Sequence, residues 1–306
     1  MVTIHSHQRP GLQRRGQPGL GRGTAGLAWA TAVLALGAAV LGLVLEGVYT
    51  GARSTAEILR GFDAVTAVLV APALAVSVGY ARRGSVLGRL VTAGLLADLV
   101  YSYAFYVFGT DFNDLFLLHV VVFSMSLTAL VLTIGGLDVD AVGEQFRGMR
   151  HVWPVAVATG VLAVSLGGMW VGAAVVNAVN GTVPVGSRLV ETPEMIHTAL
   201  VLDLAVQVPL YAGAAVLLWR REAWSFVLAF VATLSGIPEQ LSYLVGLPFQ
   251  VGAGVPDAAS FDPLEPVIAG LFVLAFGLLL AGASSPGRDR SGAGGGLKEW
   301  AGGHPG

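Results

Sequence analysis

The chain contains no cysteine and a single lysine, and only 12% of its 306 residues are charged. Without cysteine there are no disulfides, no thiolate metal sites and no cysteine nucleophile. Scarce charge, with 55% hydrophobic residues and a mean hydropathy of +0.73, excludes an ordinary water-soluble domain. A formal net charge of −2 leaves no basic surface for nucleic acid. The phosphate-binding pattern G-x-x-x-x-G-K-[ST], the zinc pattern H-E-x-x-H and the nucleophile elbow G-x-S-x-G are also missing, so no catalytic signature stands out.

What the chain does have is long apolar runs. A spanning helix needs about 20 mostly apolar residues, and runs of that kind lie near 26–49, 62–81, 86–108, 112–136, 152–178, 193–219, 224–247 and 262–283. They predict an all-α, polytopic protein of the lipid bilayer with about eight transmembrane helices. The flanks, 1–24 and 284–306, are rich in Gly, Pro, Arg and Ser and read as disordered tails. Between them the chain divides into a four-helix unit at 25–136, a loop at 137–151 and a second four-helix unit at 152–283.

Orientation follows from the basic residues, because loops rich in Lys and Arg stay on the cytoplasmic side. With the N-terminus inside, 14 of the 17 lie in inner segments, and only Arg53, Arg60 and Arg188 fall outside. Arginine in place of lysine, with abundant Ala, Gly and Val, points to a GC-rich bacterial genome. The expected location is a bacterial plasma membrane, with both termini cytoplasmic.

The two units repeat a pattern. Residues 68–85 and 204–223 each carry a mid-helix proline, Pro72 or Pro209, followed by an Arg pair; DLVYSY (98–103) then answers EQLSY (239–243), and FNDLF (112–116) answers FDPLE (261–265). Four spans per unit is an even number, so two fused copies would point the same way, related by an axis along the membrane normal.

An ionisable group near the bilayer centre costs about 2.5–3.5 kcal/mol on insertion scales and marks a functional position. By helix rise, Asp98, His119, Asp203 and Glu239 share the outer half of the membrane. Tyr101 is one turn from Asp98, and Gln207 is one turn from Asp203. Glu239 and Gln240 follow Gly236 and Pro238, a pairing that predicts a kink or a break of the helix at the site, with Tyr243 a turn further on. Thr192-Pro193-Glu194 reads as an N-cap, a proline at the first helical position and an acid in the first turn. Glu194 and His197 also have the E-x-x-H spacing of di-iron bundles, which makes Glu194, His197 and His119 the metal candidates. Gly168-x-x-x-Gly172 allows close helix approach.

Buried acids with few cations near them favour a proton- or cation-coupled small-solute transporter or channel, with protons or small cations bound at Asp98, Tyr101, His119, Asp203, Gln207, Glu239, Gln240 and Tyr243. Two other classes fit the same residues. One is a membrane-embedded metal- or haem-binding protein using His119 and His197, and the other an assembly or sensory partner without turnover. No cofactor is required by the sequence. The charge map makes a testable prediction: reporter fusions at residues 140 and 255 should read cytoplasmic and external respectively, and an external signal at 140 would discard the orientation.

Overall fold

The computed structural model describes residues 19–149, 152–182 and 187–283; the tail assignments for 1–18 and 284–306 lie outside them. The described residues form helices and no strands. Eight helices are long and apolar enough to cross a membrane, namely Arg22–Val44, Arg53–Arg82, Val86–Phe108, Phe116–Gly135, Val152–Asn180, Pro193–Trp219, Ala223–Gly252 and Glu265–Ala283. They are called the first to eighth spans below. The chain is a polytopic α-helical membrane protein.

The second span corrects the sequence reading most, since it starts nine residues before the expected position 62. Arg53, Glu57 and Arg60 interrupt the apolar run there. Arg60 Nη1 pairs with Glu57 Oε1 at 3.2 Å, while Ile58, Leu59 and Phe62 are buried, so these turns are amphipathic rather than extramembrane. The expected loop at 137–151 contains a short helix, Val139–Phe146, whose N-cap Asp138 accepts a hydrogen bond from the Ala141 N–H at 3.1 Å.

In each half four helices close a ring: the first packs on the second, the second on the third, the third on the fourth and the fourth on the first, and spans five to eight do the same. The halves meet where the seventh span lies along the second and third. In the third and seventh spans 78% and 72% of the apolar window is buried, against 44% or less in the other six, so these two form the axis of the bundle. Segments 83–85, 137–149 and 220–222 lie at one end, here the tail face; segments 45–52, 109–115 and 253–264 lie at the other, the loop face.

The second and sixth spans share an irregularity. Proline lacks an N–H and crowds the carbonyl four residues back, and each helix widens by one residue just ahead of its proline. The Ala71 N–H reaches Thr66 O before Pro72, and the Val208 N–H reaches Asp203 O before Pro209. Both helices then end alike. Gly84 (φ 82°) and Arg221 (φ 57°) turn left-handed, and the bonds Ser85 N–H to Tyr80 O and Glu222 N–H to Leu217 O close the ends at 3.2 and 3.1 Å, the helix-terminating arrangement expected there. Every one of these pairs is separated by the same number of residues.

At Gly236-Ile237-Pro238, where a kink or a break is expected, the helix is not broken: the seventh span runs from Ala223 to Gly252 as one helix with Pro238 and Pro248 inside it. Gly236 instead makes room, since a Cβ there would come within 2.3 Å of the Phe272 ring, and Ser242 Oγ donates to Pro238 O at 2.9 Å. Gly168 and Gly172 face open space, so that pair mediates no helix contact among the described residues. The close approaches are elsewhere. A Cβ on Gly61 would meet the Gly246 backbone at 2.8 Å, and one on Gly94 would meet Leu234 at 2.8 Å. Near the loop face Gln250, fully buried, donates to Ser54 O and Val190 O at 3.1 and 2.9 Å and accepts from the Val190 N–H at 3.0 Å. That one side chain ties the second span and the 187–192 segment to the axis.

Backbone cannot yield as a side chain tip can, so Gly61→Ala should cost about 1–3 kcal/mol, the usual range for overpacking, and lower the detergent-solubilised melting temperature. Gly79→Ala, with nothing within 4 Å, should leave it unchanged or raise it slightly. Equal melting temperatures for the two variants would refute the tight crossing.

Candidate functional site

In the second half, the sixth span carries Asp203 and Gln207 at the two ends of its wide turn. Asp203 is 6% exposed. It accepts hydrogen bonds from Tyr101 Oη at 2.9 Å and from Trp170 Nε1 at 2.6 Å. Gln207 Nε2 donates to Glu239 Oε2 at 2.7 Å, and Glu239 is within electrostatic reach of the Tyr101 phenol. A phenol on the third span thus stands between carboxyl groups on the sixth and seventh. Neither carboxyl forms an ion pair among the described residues.

The first half holds a second arrangement. Asp63 lies ten residues into its span, as Asp203 does in its own, about 15 Å along the axis at 1.5 Å per residue. It is 1% exposed and accepts from Tyr49 Oη at 2.6 Å and Tyr106 Oη at 2.8 Å. Burial first, and the Asp63 charge second, push the Tyr49 phenol above its ordinary value, which keeps it a donor. Beside this group His119 is fully buried. Its ring centroid is 4.6 Å from that of Tyr106, 5.8 Å from Tyr103 and 6.2 Å from Tyr49.

Asp98 lies between the two groups. It is 2% exposed, and its Oδ1 has no hydrogen-bond partner among the described residues. Tyr103 on one side and Glu239 on the other are within its electrostatic reach. Toward the tail face the way is closed by buried Leu95, Leu96, Phe230 and Leu234 at the Gly94 crossing. Toward the loop face a shallow depression is lined by Ser187, Arg188, Leu189, Tyr243, Leu247, Asp262 and Glu265. Tyr243 lies one helical turn from Glu239, and both are only half-buried.

The structure therefore brings together Tyr101, Asp203, Gln207 and Glu239, sets Asp98 and Tyr243 next to them, and places His119 in the other group. Gln240 is buried with its Oε1 unpartnered among the described residues and bonds to none of these side chains. Thr192 and Pro193 occupy the N-cap and first helical position, but the Thr192 hydroxyl makes no capping bond. The structure separates the three metal candidates. Glu194 and His197 are exposed while His119 is sealed in the bundle, and among the described residues no three His, Asp or Glu side chains are grouped to hold a metal ion. Sequence reasoning missed Asp63, Tyr49, Tyr106 and Trp170. Asp63 was detectable as an acid directly abutting an apolar run; a lone Trp170 in an apolar helix carries no such signal. No protein-family model, curated protein or solved structure matches the chain.

At the loop face Glu191, half-buried, accepts from Ser187 Oγ at 3.4 Å. Burial, and then the charges of Asp203 and Glu265 against the relief of the Ser187 bond, leave its carboxyl pushed up to about 7. An acid raised in the folded state favours folding when protonated, and that contribution is lost as pH rises through the folded value. The wild-type melting temperature should thus fall between about pH 4.5 and pH 7 more steeply than that of Glu191→Gln. Parallel curves would show that Glu191 is not the titrating group.

Proposed function

We propose that the chain is a bacterial plasma-membrane transport protein, with its tail face cytoplasmic, that carries a small solute or ion by coupling to a proton or small cation held between Asp203 and Glu239. The observation that carries this reading is a pair of carboxyl groups around one phenol, Asp203 hydrogen-bonded to Tyr101 and Glu239 within electrostatic reach of it, with no cation paired to either among the described residues. Two such groups in low dielectric repel strongly when both are charged, and a shared proton or a bound cation removes that repulsion.

The Tyr101 hydroxyl both donates and accepts. Protonated Glu239 can give its proton to Tyr101 Oη while the Tyr101 O–H proton passes to Asp203. Glu239 is left as carboxylate, Asp203 as acid and the phenol unchanged. Glu239, nearer Tyr243 and the depression, is then the member that exchanges with the loop-face solution, and sealed Asp203 is the inner store. Buried Leu95, Leu96, Phe230 and Leu234 would have to part for release to the tail face, which makes the described arrangement one state of an alternating cycle.

The internal repeat belongs to the same reading. The equal ring order, the matched wide turns and the matched helix ends support two fused four-helix copies. Their register pairs Tyr106 with Tyr243, and Glu239 with Ser102 rather than with Asp98; the acid–Ser–Tyr match needs a slip of one helical turn.

Proteoliposomes with an internal pH-sensitive dye test the proposal. Under an imposed pH or sodium gradient the wild type should pass protons or sodium above empty vesicles. Glu239→Gln keeps the bond to Gln207, removes only the charge, and should lower the flux at least about tenfold, within the range of lost proton-transfer groups, with its melting temperature retained. Wild-type flux in Glu239→Gln, or none in the wild type under either gradient, would sink it.

A further inference from the structure

We infer that Asp63, Tyr49, Tyr106 and His119 form a second proton-binding site, in the first half of the bundle. This rests on the reading of the buried carboxyl groups as proton carriers, and it adds a station that the sequence pattern did not reveal.

The built character of the site is plain in its packing. Asp63 takes two phenol hydrogen bonds, and Gly42 of the first span backs it: a Cβ there would come within 2.1 Å of Asp63 Oδ2 and 2.3 Å of Tyr49 Oη. His119 is 0% exposed, and neither ring nitrogen has a hydrogen-bond partner among the described residues. Leaving both nitrogens of a buried imidazole unmet is costly. Packing alone would be served by a phenylalanine; an imidazole can bind or release a proton.

The groups facing Asp63 and His119 come from every neighbouring element. Arg60 lies on the second span itself and acts on Asp63. Tyr49 comes from the 45–52 segment, Tyr103 and Tyr106 from the third span, and His119 from the fourth. The first span presents Gly42 and the Ala35 carbonyl, which accepts from Tyr103 Oη at 3.3 Å, and the seventh reaches this side through Tyr243, whose ring stacks edge-on against Phe62 at 6.0 Å. Apart from Arg60 every ionisable group is a carboxyl, a phenol or an imidazole, and each of these can accept and return a proton. Tyr103, whose hydroxyl is bound to the Ala35 carbonyl, is within electrostatic reach of both Asp63 and Asp98 but hydrogen-bonds to neither.

Infrared difference spectroscopy of the full chain in bilayers, stepping pH, reads protonated carboxyl groups without any transport assay. Asp63→Asn should remove one titrating carboxyl C=O band that Glu239→Gln leaves in place. His119→Gln and Tyr106→Phe should each move the midpoint of that band by at least about half a pH unit, as loss of a hydrogen bond or a neighbouring titrating group does. If Asp63→Asn does not fold, the midpoints of the other two variants decide. A folded Asp63→Asn with the wild-type band set, or midpoints unmoved in both His119→Gln and Tyr106→Phe, overturns the site. A titrating Asp63 band in a wild type that passes neither protons nor sodium keeps this site and discards transport. Intact flux with no Asp63 band does the reverse.

Discussion

The centre of this bundle is arranged around Asp63, Asp203 and Glu239, carboxyl groups that form no ion pair among the described residues. A charge in the bilayer interior must find donors among its neighbours, because the surrounding hydrocarbon offers none. Here the donors are aromatic: Tyr49 and Tyr106 for Asp63, Tyr101 and Trp170 for Asp203. A phenol or indole brings one polar hydrogen on an otherwise apolar ring, so it can sit in the packed core and still satisfy an oxygen. Unlike an arginine, it does not neutralise the charge.

That demand shapes the packing. Donor and acceptor must come from different helices, so the third and seventh spans are drawn to the centre. The seventh span comes close to the second because Gly61 and Gly246 bring no side chain to their crossing, and close to the third because Gly94 brings none. The price is a pair of central helices that carry polar groups on several faces, tolerable only because six outer spans shield them. The wide turns ahead of Pro72 and Pro209 follow the same logic. They loosen the helix beside Asp63 and at Asp203, where the side chain must be aimed rather than merely buried.

Much of this was legible in the sequence, and the failures have physical causes. Hydropathy located eight spans because nothing else in a protein is 20 residues long and uniformly apolar. It misplaced the second start because Arg53, Glu57 and Arg60 look extramembrane until Ile58, Leu59 and Phe62 are seen to pack inward, and that error set Asp63 at the start of its span instead of ten residues into it. Depth arguments placed Asp203 and Glu239 on a common level but could not tell that Tyr101 stands between them, since helix rotation is fixed by packing. The same blindness put His119 beside Glu239 rather than beside Tyr106. Gly236 and Pro238 predicted a kink or a break where the glycine in fact receives Phe272, while the true irregularities lay before two prolines that a linear reading treats as ordinary.

The two halves also differ in a way that bears on direction. Asp63 and Asp203 are both buried, yet their donors are not equivalent. Both donors to Asp63 are phenols, which can accept a proton as well as give one, and one of them adjoins an imidazole. Asp203 has one phenol and one indole, and an indole N–H only donates. Trp170 can therefore hold the Asp203 carboxylate but cannot relay a proton to or from it. On the proposed reading, every proton reaching Asp203 through its hydrogen-bond partners must pass Tyr101 and so must come by way of Glu239. A fused pair of similar units would thus have kept a branched station in one half and made the other single-file.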